Sequence, residues 1–221
     1  MNLFCLTDTH GKAPPSIPPK TDLVLHAGDF YNRLGGNIKG LSKMDSQKVL
    51  NNEQSLTKWY KSLKCPANFV KGNHDTFDPY QITSKNDATG FVSQIAPKLF
   101  LIGLGWSGNV FYELPTNDIM NKICADVLRQ CCFKMKDGDM SIVLTHYAPL
   151  VPPLTGEPGN KEGWAFQSIR DVLNSVKPIL CVCGHLHDVL GTKFYYNNTL
   201  IDFPGKEGSF YELDTNDWVL R

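Results

Sequence analysis

The sequence predicts an α/β (α+β) protein in which mixed β-sheets carry helices on their outer faces. Three observations support this. Short apolar runs alternate with amphipathic helical stretches through most of the chain, and strands dominate its end. Most of the early runs stop at a cluster of Gly, Asp, Asn or His, the mark of loops leaving strand ends. Neither an internal repeat nor a linker divides the 221 residues, so residues 1–221 read as one domain with a sizeable core.

In order, Asn2 to Thr7 and Leu23 to Ala27 read as strands, separated by a proline-rich surface loop from Lys12 to Lys20. Tyr31 to Gly40 is glycine-rich but lacks the Lys-Ser/Thr ending of a phosphate-binding loop. Met44 to Leu63 has helical periodicity, with Val49, Leu50, Leu56, Trp59, Tyr60 and Leu63 on its apolar face. A short strand, Asn68 to Val70, precedes an irregular segment, Thr76 to Gly90. Phe91 to Ile95 and Leu99 to Leu104 form a strand pair. Asp118 to Lys136 is a helix with an acid near its start and lysines near its end, as the helix dipole favours. Ser141 to Leu144 is a strand, and Leu150 to Gly163 is a long Pro/Gly loop. Trp164 to Val176 reads as a helix stopped by Pro178. Strands from Ile179 to Cys183, Lys193 to Tyr196, Thr199 to Phe203 and Ser209 to Leu213 complete the chain.

Charge and cysteine usage narrow the function classes. Formal net charge is zero, which argues against broad capture of nucleic acid or of an anionic membrane surface. No run approaches the roughly 20 apolar residues of a membrane span, and Met1 to Leu6 is too short for a signal peptide. The expectation is a cytoplasmic protein with no membrane partner. Seven cysteines form no disulfide-scaffold pattern. Cys181 and Cys183 fall on one face of a strand and read as buried thiols, as does the Cys131-Cys132 pair in its helix.

Five polar motifs follow apolar runs, and four of them hold five of the six histidines: Asp8-Thr9-His10, Gly28-Asp29, Gly72-Asn73-His74-Asp75, Thr145-His146 and Gly184-His185-Leu186-His187. A stable fold does not need its histidines and acids at strand ends. A dinuclear metal centre does, because many N and O ligands must converge on one point. In extended chain, residues i and i+2 point the same way, which aims Asp8 with His10 and His185 with His187. Asp29 has two oxygens with which to bridge two cations, Asn73 supplies a neutral oxygen and His146 a further imidazole. Oxygen and imidazole ligands suit Mn, Fe, Zn, Co or Ni better than Mg or Ca, with manganese foremost here. His26, inside a strand, reads as structural or as a support behind the ligands, and Asp75 as a residue that holds its loop or orients a neighbour.

The ordered set of motifs, from Asp8 to His187, resembles the calcineurin-like metallophosphoesterases. That resemblance implies a four-layer α/β/β/α sandwich with two mixed sheets. It implies a first metal held by Asp8, His10, Asp29 and His187, and a second held by Asp29, Asn73, His146 and His185. His74 would lie near the leaving oxygen as a phosphate ligand or general acid, while a metal-bridging hydroxide attacks phosphorus in line. Gly28-Asp29-Phe30-Tyr31-Asn32-Arg33 is also similar to a stretch of the protein serine/threonine phosphatases. Arg33 is then either a fork on a phosphate oxygen or a solvated loop arginine. Asn32 stands where those enzymes have an aspartate that orients the acid histidine, so a protein-phosphatase role is disfavoured.

The expected activity is hydrolysis of a small or nucleotide-like phosphodiester, with phosphomonoesters as the alternative substrate class. A non-catalytic interaction module on the same fold should have lost ligands, and this sequence keeps them all. A nuclease would show a basic stripe, for which only Lys12, Lys20, Arg33, Lys39 and Lys43 are placed. Tyr112, Tyr147 and Trp164 either line a cleft or pack. Ser107 does not fit a nucleophile elbow.

Overall fold

Alternating apolar side chains on both faces of the central strands set the architecture. The computed structural model describes residues 1–12, 15–30, 58–59, 61–75, 87–108, 113–152, 154 and 164–221. In chain order the strands are β1 (Asn2–Leu6), β2 (Leu23–His26), β3 (Ala67–Phe69), β4 (Val92–Ala96), β5 (Leu99–Leu104), β6 (Met140–Thr145), β7 (Ala148–Pro149), β8 (Ala165–Phe166), β9 (Leu180–Val182), β10 (Thr192–Tyr196), β11 (Thr199–Phe203), β12 (Ser209–Asp214) and β13 (Val219–Leu220). The helices are α1 (Asn117–Lys134) and α2 (Gln167–Val176).

One sheet has the order β13-β12-β1-β2-β3 and the other β10-β11-β9-β6-β5-β4. Each has a parallel centre: β1 with β2 and β2 with β3 in the first, β5 with β6, β6 with β9 and β9 with β11 in the second. Antiparallel strands flank both centres, so both sheets are mixed. Parallel strands buried on both faces read as continuous apolar runs, which is why the sequence marks them so clearly.

Three cores follow from the period of two. Leu3, Cys5, Leu25, Leu101, Leu144 and Val182 meet between the sheets. Their alternates Phe100, Ile102, Val143, Cys181 and Ile201 pack beneath α1 and α2 through Met120, Val127, Ile169 and Val172. On the far face of the first sheet, Phe4, Leu6 and Val24 pack against Trp59, Leu63 and Ile17, where Lys58, Trp59, Lys61 and Ser62 are helical. Sheet on sheet, with helices on both outer faces, gives the four expected layers. Most of the helix expected over Met44 to Leu63 lies outside the described residues.

One boundary differs from expectation for an identifiable reason. Trp164 to Phe166 is not helical: Ala165 and Phe166 pair with Ala148 and Pro149, and α2 starts only at Gln167. Helical periodicity cannot see a two-residue pairing with a distant strand. At its other end α2 stops at Lys177, left-handed at φ 47°, one residue before Pro178. α1 is capped by the Thr116 hydroxyl, which accepts from the Ile119 amide, with Asp118 in its first turn and Lys134 in its last. All seven cysteines are free thiols. Cys181 and Cys183 are fully buried with sulfurs 3.5 Å apart, and Cys132 is exposed, contrary to the buried reading of that pair.

One acid departs from the apolar pattern between the sheets. Asp202 on β11 is fully buried, facing Cys5 on β1, Ser209 and Tyr211 on β12, and Lys193 on β10. Burial pushes its carboxyl above the ordinary value. The Tyr211 and Ser209 hydroxyls and the Lys193 ammonium oppose that rise, yet no hydrogen bond of good geometry reaches either oxygen among the described residues. A raised folded-state pKa makes the folded protein the tighter proton binder. The associated stability is full below the unfolded pKa and is lost as pH rises toward the folded one. Asp202→Asn should therefore gain on the wild type as pH rises from about 4 to about 7, by about 2–4 °C in melting temperature per kcal/mol. Calorimetry of both proteins in chelator across that range measures it, and a constant offset at every pH would contradict it.

Candidate metal centre

Every motif residue described sits just past the C-terminal end of a parallel strand, where ligand sites form in α/β sheets. Asp8 and His10 follow β1, Asp29 follows β2, Asn73 and His74 follow β3, His146 follows β6, and His185 and His187 follow β9. The first five come from one sheet and the last three from the other, so the site spans the ends of both.

Their donor atoms converge. The His187 Nε2 lies 3.2 Å from Asp8 Oδ1 and 3.2 Å from His10 Nε2, and His10 Nε2 is 3.7 Å from Asp8 Oδ1 and 3.9 Å from Asp29 Oδ2. On the other side of Asp29, His146 Nε2 is 3.4 Å from Oδ1 and 3.1 Å from Asn73 Oδ1. Asp8, His10 and His187 form one group able to hold a cation; Asp8, Asp29 and His146 form another; His10, Asp29 and His74 form a third. His185 joins through its ring, 5.2 Å from that of His146, rather than through a close donor contact. His74, expected beside the metals, has Nε2 3.6 Å from Asp29 Oδ2, so by distance alone it qualifies as ligand or as neighbour.

The chemistry of these atoms fits a cation. His146 Nδ1 donates to the Ala27 carbonyl at 2.8 Å, which leaves Nε2 as a bare lone pair. That lone pair faces the Asn73 and Asp29 oxygens, three acceptors with no shared hydrogen. His185 Nε2 is buried and has no hydrogen-bond partner among the described residues. Such an arrangement is costly alone and favourable around a positive charge. Burial also keeps the imidazoles neutral, the form a metal binds: it pushes His146 down and His185 down to about 3, aided there by the neighbouring His146. Burial works against ionisation of Asp8, but His187, His146 and the Thr7 hydroxyl outweigh it and hold the carboxyl well below its ordinary range.

Backbone geometry corrects one step of the sequence reasoning. Asp8, His10, Asp29 and His185 all have positive φ, at 53°, 46°, 58° and 68°. His187 opens a short 3₁₀ turn. The ligand pairs converge because their loops coil through the left-handed region, not because extended chain repeats every two residues. Non-glycine residues rarely adopt that region, and strain of this kind clusters at functional sites.

Residues behind the ligands hold those loops. Asp75 Oδ2 accepts from the amides of Asp29 and Gly72, both at 2.8 Å, and Oδ1 accepts from Phe30 at 2.8 Å. Asp29 Oδ1 in turn accepts from the His74 amide at 3.0 Å. His26, expected first as a structural residue of its strand, also braces these loops: its Nδ1 accepts from the Gly28 amide, and its Nε2–H meets the Thr9 hydroxyl at 3.2 Å. Sequence reasoning missed Thr7, whose hydroxyl donates to Asp8 Oδ2 at 2.7 Å. It missed the glycines too. A Cβ on Gly184 would collide with the Thr7 hydroxyl and lie 2.6 Å from Asp8 Oδ2, and one on Gly72 would strike Asp29 Oδ1 and lie 2.8 Å from the His146 ring. Repeated glycine just before a ligand was the signal for this close approach.

A family model described as calcineurin-like phosphoesterase matches residues 1–189. The chain belongs to this family. The UPF0046 protein K07C11.7 of Caenorhabditis elegans is 22% identical to this phosphoesterase over 223 residues, covering 91% of this chain and 69% of that one. Among solved structures, TT1561 of Thermus thermophilus has a TM-score of 0.58 at 13% identity, over 100% of this chain and 96% of that one. The phosphopantetheinyl hydrolase of Mycobacterium tuberculosis has a TM-score of 0.59 at 14% identity, over 92% and 88%. A putative 5′-nucleotidase from Staphylococcus aureus has a TM-score of 0.62 at 14% identity, over 99% of this chain but 52% of that one. These likenesses are of fold.

The phosphoesterase has a cleft of about 330 Å³ at its candidate metal centre, lined by Asp29, Asn73, His74, Leu114, Trp164, His185, His187 and Asp188. Tyr147 packs instead of lining it: it is fully buried, with its hydroxyl donating to the Trp106 carbonyl at 3.0 Å. Asn32, Arg33 and Tyr112 lie outside the described residues, as do Lys39, Lys43 and most of the loops over 76–90 and 150–163.

Loss of the Asp75 carboxylate should loosen two ligand loops while leaving the cores intact. Asp75→Ala is expected to weaken Mn²⁺ binding about 10–100-fold, the usual effect of removing an outer support. Titration calorimetry on chelator-stripped protein measures this, with circular dichroism to check the fold; unaltered affinity would rule out the support role. Gly184→Ala should weaken Mn²⁺ binding in the same assay by displacing Asp8.

Proposed function

We propose that this phosphoesterase hydrolyses a small, nucleotide-like phosphodiester at two divalent cations, manganese foremost. The observation that carries the reading is the convergence of His10, His146 and Asn73 donor atoms on the Asp29 carboxylate and its neighbourhood, opening into a cleft sized for a small ester. Asp8, His10, Asp29 and His187 would hold one cation. Asp29, Asn73, His146 and His185 would hold the other, with Asp29 shared. Bound there, the cations supply hydroxide near neutral pH and neutralise charge on the phosphoryl oxygens.

The residues of the chain then divide the remaining work. Asp29 fixes the spacing of the two sites, because its Oδ2 faces His10 and its Oδ1 faces His146. His74 lines the cleft beside Asp29 and delivers the proton to the leaving oxygen. Arg33 and Asn32 lie outside the described residues; to Arg33 we assign a phosphate oxygen, and to the Asn32 amide oxygen the acceptance of a hydrogen bond from His74. The names of two structural neighbours, a putative 5′-nucleotidase and a phosphopantetheinyl hydrolase, fit a nucleotide-like phosphate ester. The seven free cysteines suit a reducing compartment, and we place the reaction in the cytoplasm. No helix among the described residues is long and apolar enough to cross a membrane.

Parallel assays of bis-p-nitrophenyl phosphate and p-nitrophenyl phosphate on chelator-stripped protein, with Mn²⁺ restored, test this. Diester cleavage should be the faster, and Asp29→Asn should abolish both. Monoester preference would replace the diester assignment with the phosphomonoesterase one. His74→Asn should retain Mn²⁺ but lose turnover by about 10²–10⁴-fold, most with poor leaving groups. Equal loss of Mn²⁺ from both variants would remove the distinction between ligand and acid.

A further inference from the structure

The geometry points to Trp164 as a stacking platform for a planar aromatic group of the phosphate ester, a nucleobase or an aryl ring. This assignment rests on the phosphoester reading of the adjoining centre.

Four aromatic rings run outward in edge-to-face contact. Phe166 and Tyr147 are 5.6 Å apart, Tyr147 and His185 5.2 Å, and His185 and Trp164 5.8 Å at an interplanar angle of 70°. The first two rings are fully buried, whereas Trp164 is 38% exposed. Trp164 directly precedes β8, whose pairing with β7 fixes the backbone beside it, and the Tyr147 hydroxyl is anchored to the Trp106 carbonyl. An indole held on a rigid base, half open to solvent and touching a proposed metal ligand, is neither core nor incidental surface. It is a preformed apolar wall next to the place where the phosphate would sit.

The remaining lining agrees. Leu114 is partly buried and adds apolar surface to the same cleft. Asp188 is exposed at its rim and offers an acceptor for hydroxyl or amino hydrogens. A substrate with only a short alkyl group beyond the phosphate would leave the indole wet, while a nucleobase or aryl group would cover it.

Titration calorimetry of Mn²⁺-loaded protein with adenosine 5′-monophosphate and with glycerol 3-phosphate tests the assignment. The nucleotide should bind about 10-fold or more tightly, in line with stacking on a single aromatic side chain. Trp164→Ala should erase that advantage, and Trp164→Phe should keep most of it. Equal affinities in the wild type, no binding of either ligand, or a parallel loss of both in Trp164→Ala would overturn the platform. Mn²⁺-dependent turnover of bis-p-nitrophenyl phosphate by the wild type is measured alongside. Its absence with nucleotide preference intact would sink the hydrolase reading alone, and its presence without that preference would sink the platform alone.

Discussion

The crossed clamp between Asp29 and Asp75 is the constraint on which the site depends. Asp75 gathers the amides of Asp29, Phe30 and Gly72, and Asp29 takes the amide of His74. The loops after β2 and β3 are thereby locked to each other rather than merely adjacent. Both acids are buried, at 1% and 2% exposure, where an unsatisfied carboxylate would cost several kcal/mol. Four charge-assisted hydrogen bonds from backbone amides make that burial tolerable. The same bonds leave Asp29 Oδ2 directed at His10, so the fold's solution for a buried charge is also what aims the proposed shared ligand.

A second cost lies in the backbone. Four of the proposed metal ligands have left-handed φ, at about 1–3 kcal/mol each. Asp and His enter that region more readily than most other non-glycine residues, but still at a cost. The surrounding structure over-determines it: the Asp8 amide donates to the Gly28 carbonyl, the His10 amide to the Asp29 carbonyl, and the Gly184 amide to the His146 carbonyl. These bonds carry the strand pairing one to four residues past the regular sheet. The ligand loops are thus continuations of rigid strands, bent where the last hydrogen bonds permit. Side chains there arrive pre-oriented, and little ordering remains to be done when a charge binds.

How much of this could be read from the chain differs by level. The double-faced burial of β5, β6 and β9 was legible because parallel, fully buried strands write themselves as apolar runs. That Asp8, His10, Asp29, Asn73, His146, His185 and His187 would gather at one end of the sheets was legible because acids, amides and imidazoles stand in unusual places just past apolar runs. Their mode of convergence was not, since φ at a histidine leaves no trace in composition. β8 escaped notice because its two residues pair with Pro149 and Ala148, and a contact between distant strands outweighs the local periodicity that suggested helix. Thr7 and Gly184 escaped notice for a related reason: each matters through one atomic distance to Asp8, and a single sequence carries no distances.

The division of ligands between the sheets ties the centre to the stability of the whole sandwich. Apolar contact between the layers is non-directional and leaves their relative sliding weakly specified. At the ligand end, directed bonds across the layers take over: His146 Nδ1 to the Ala27 carbonyl, the His185 amide to Asp8 Oδ2, and the Thr7 amide to the Gly205 carbonyl. A cation sharing Asp29 with His146 would add bonds of the same kind at the same place. Because such a cation binds only the folded arrangement, its binding free energy would act directly against the strain in the four left-handed ligands. The sheets position the proposed ligands, and a charge bound there would hold the sheets in the register that positions them.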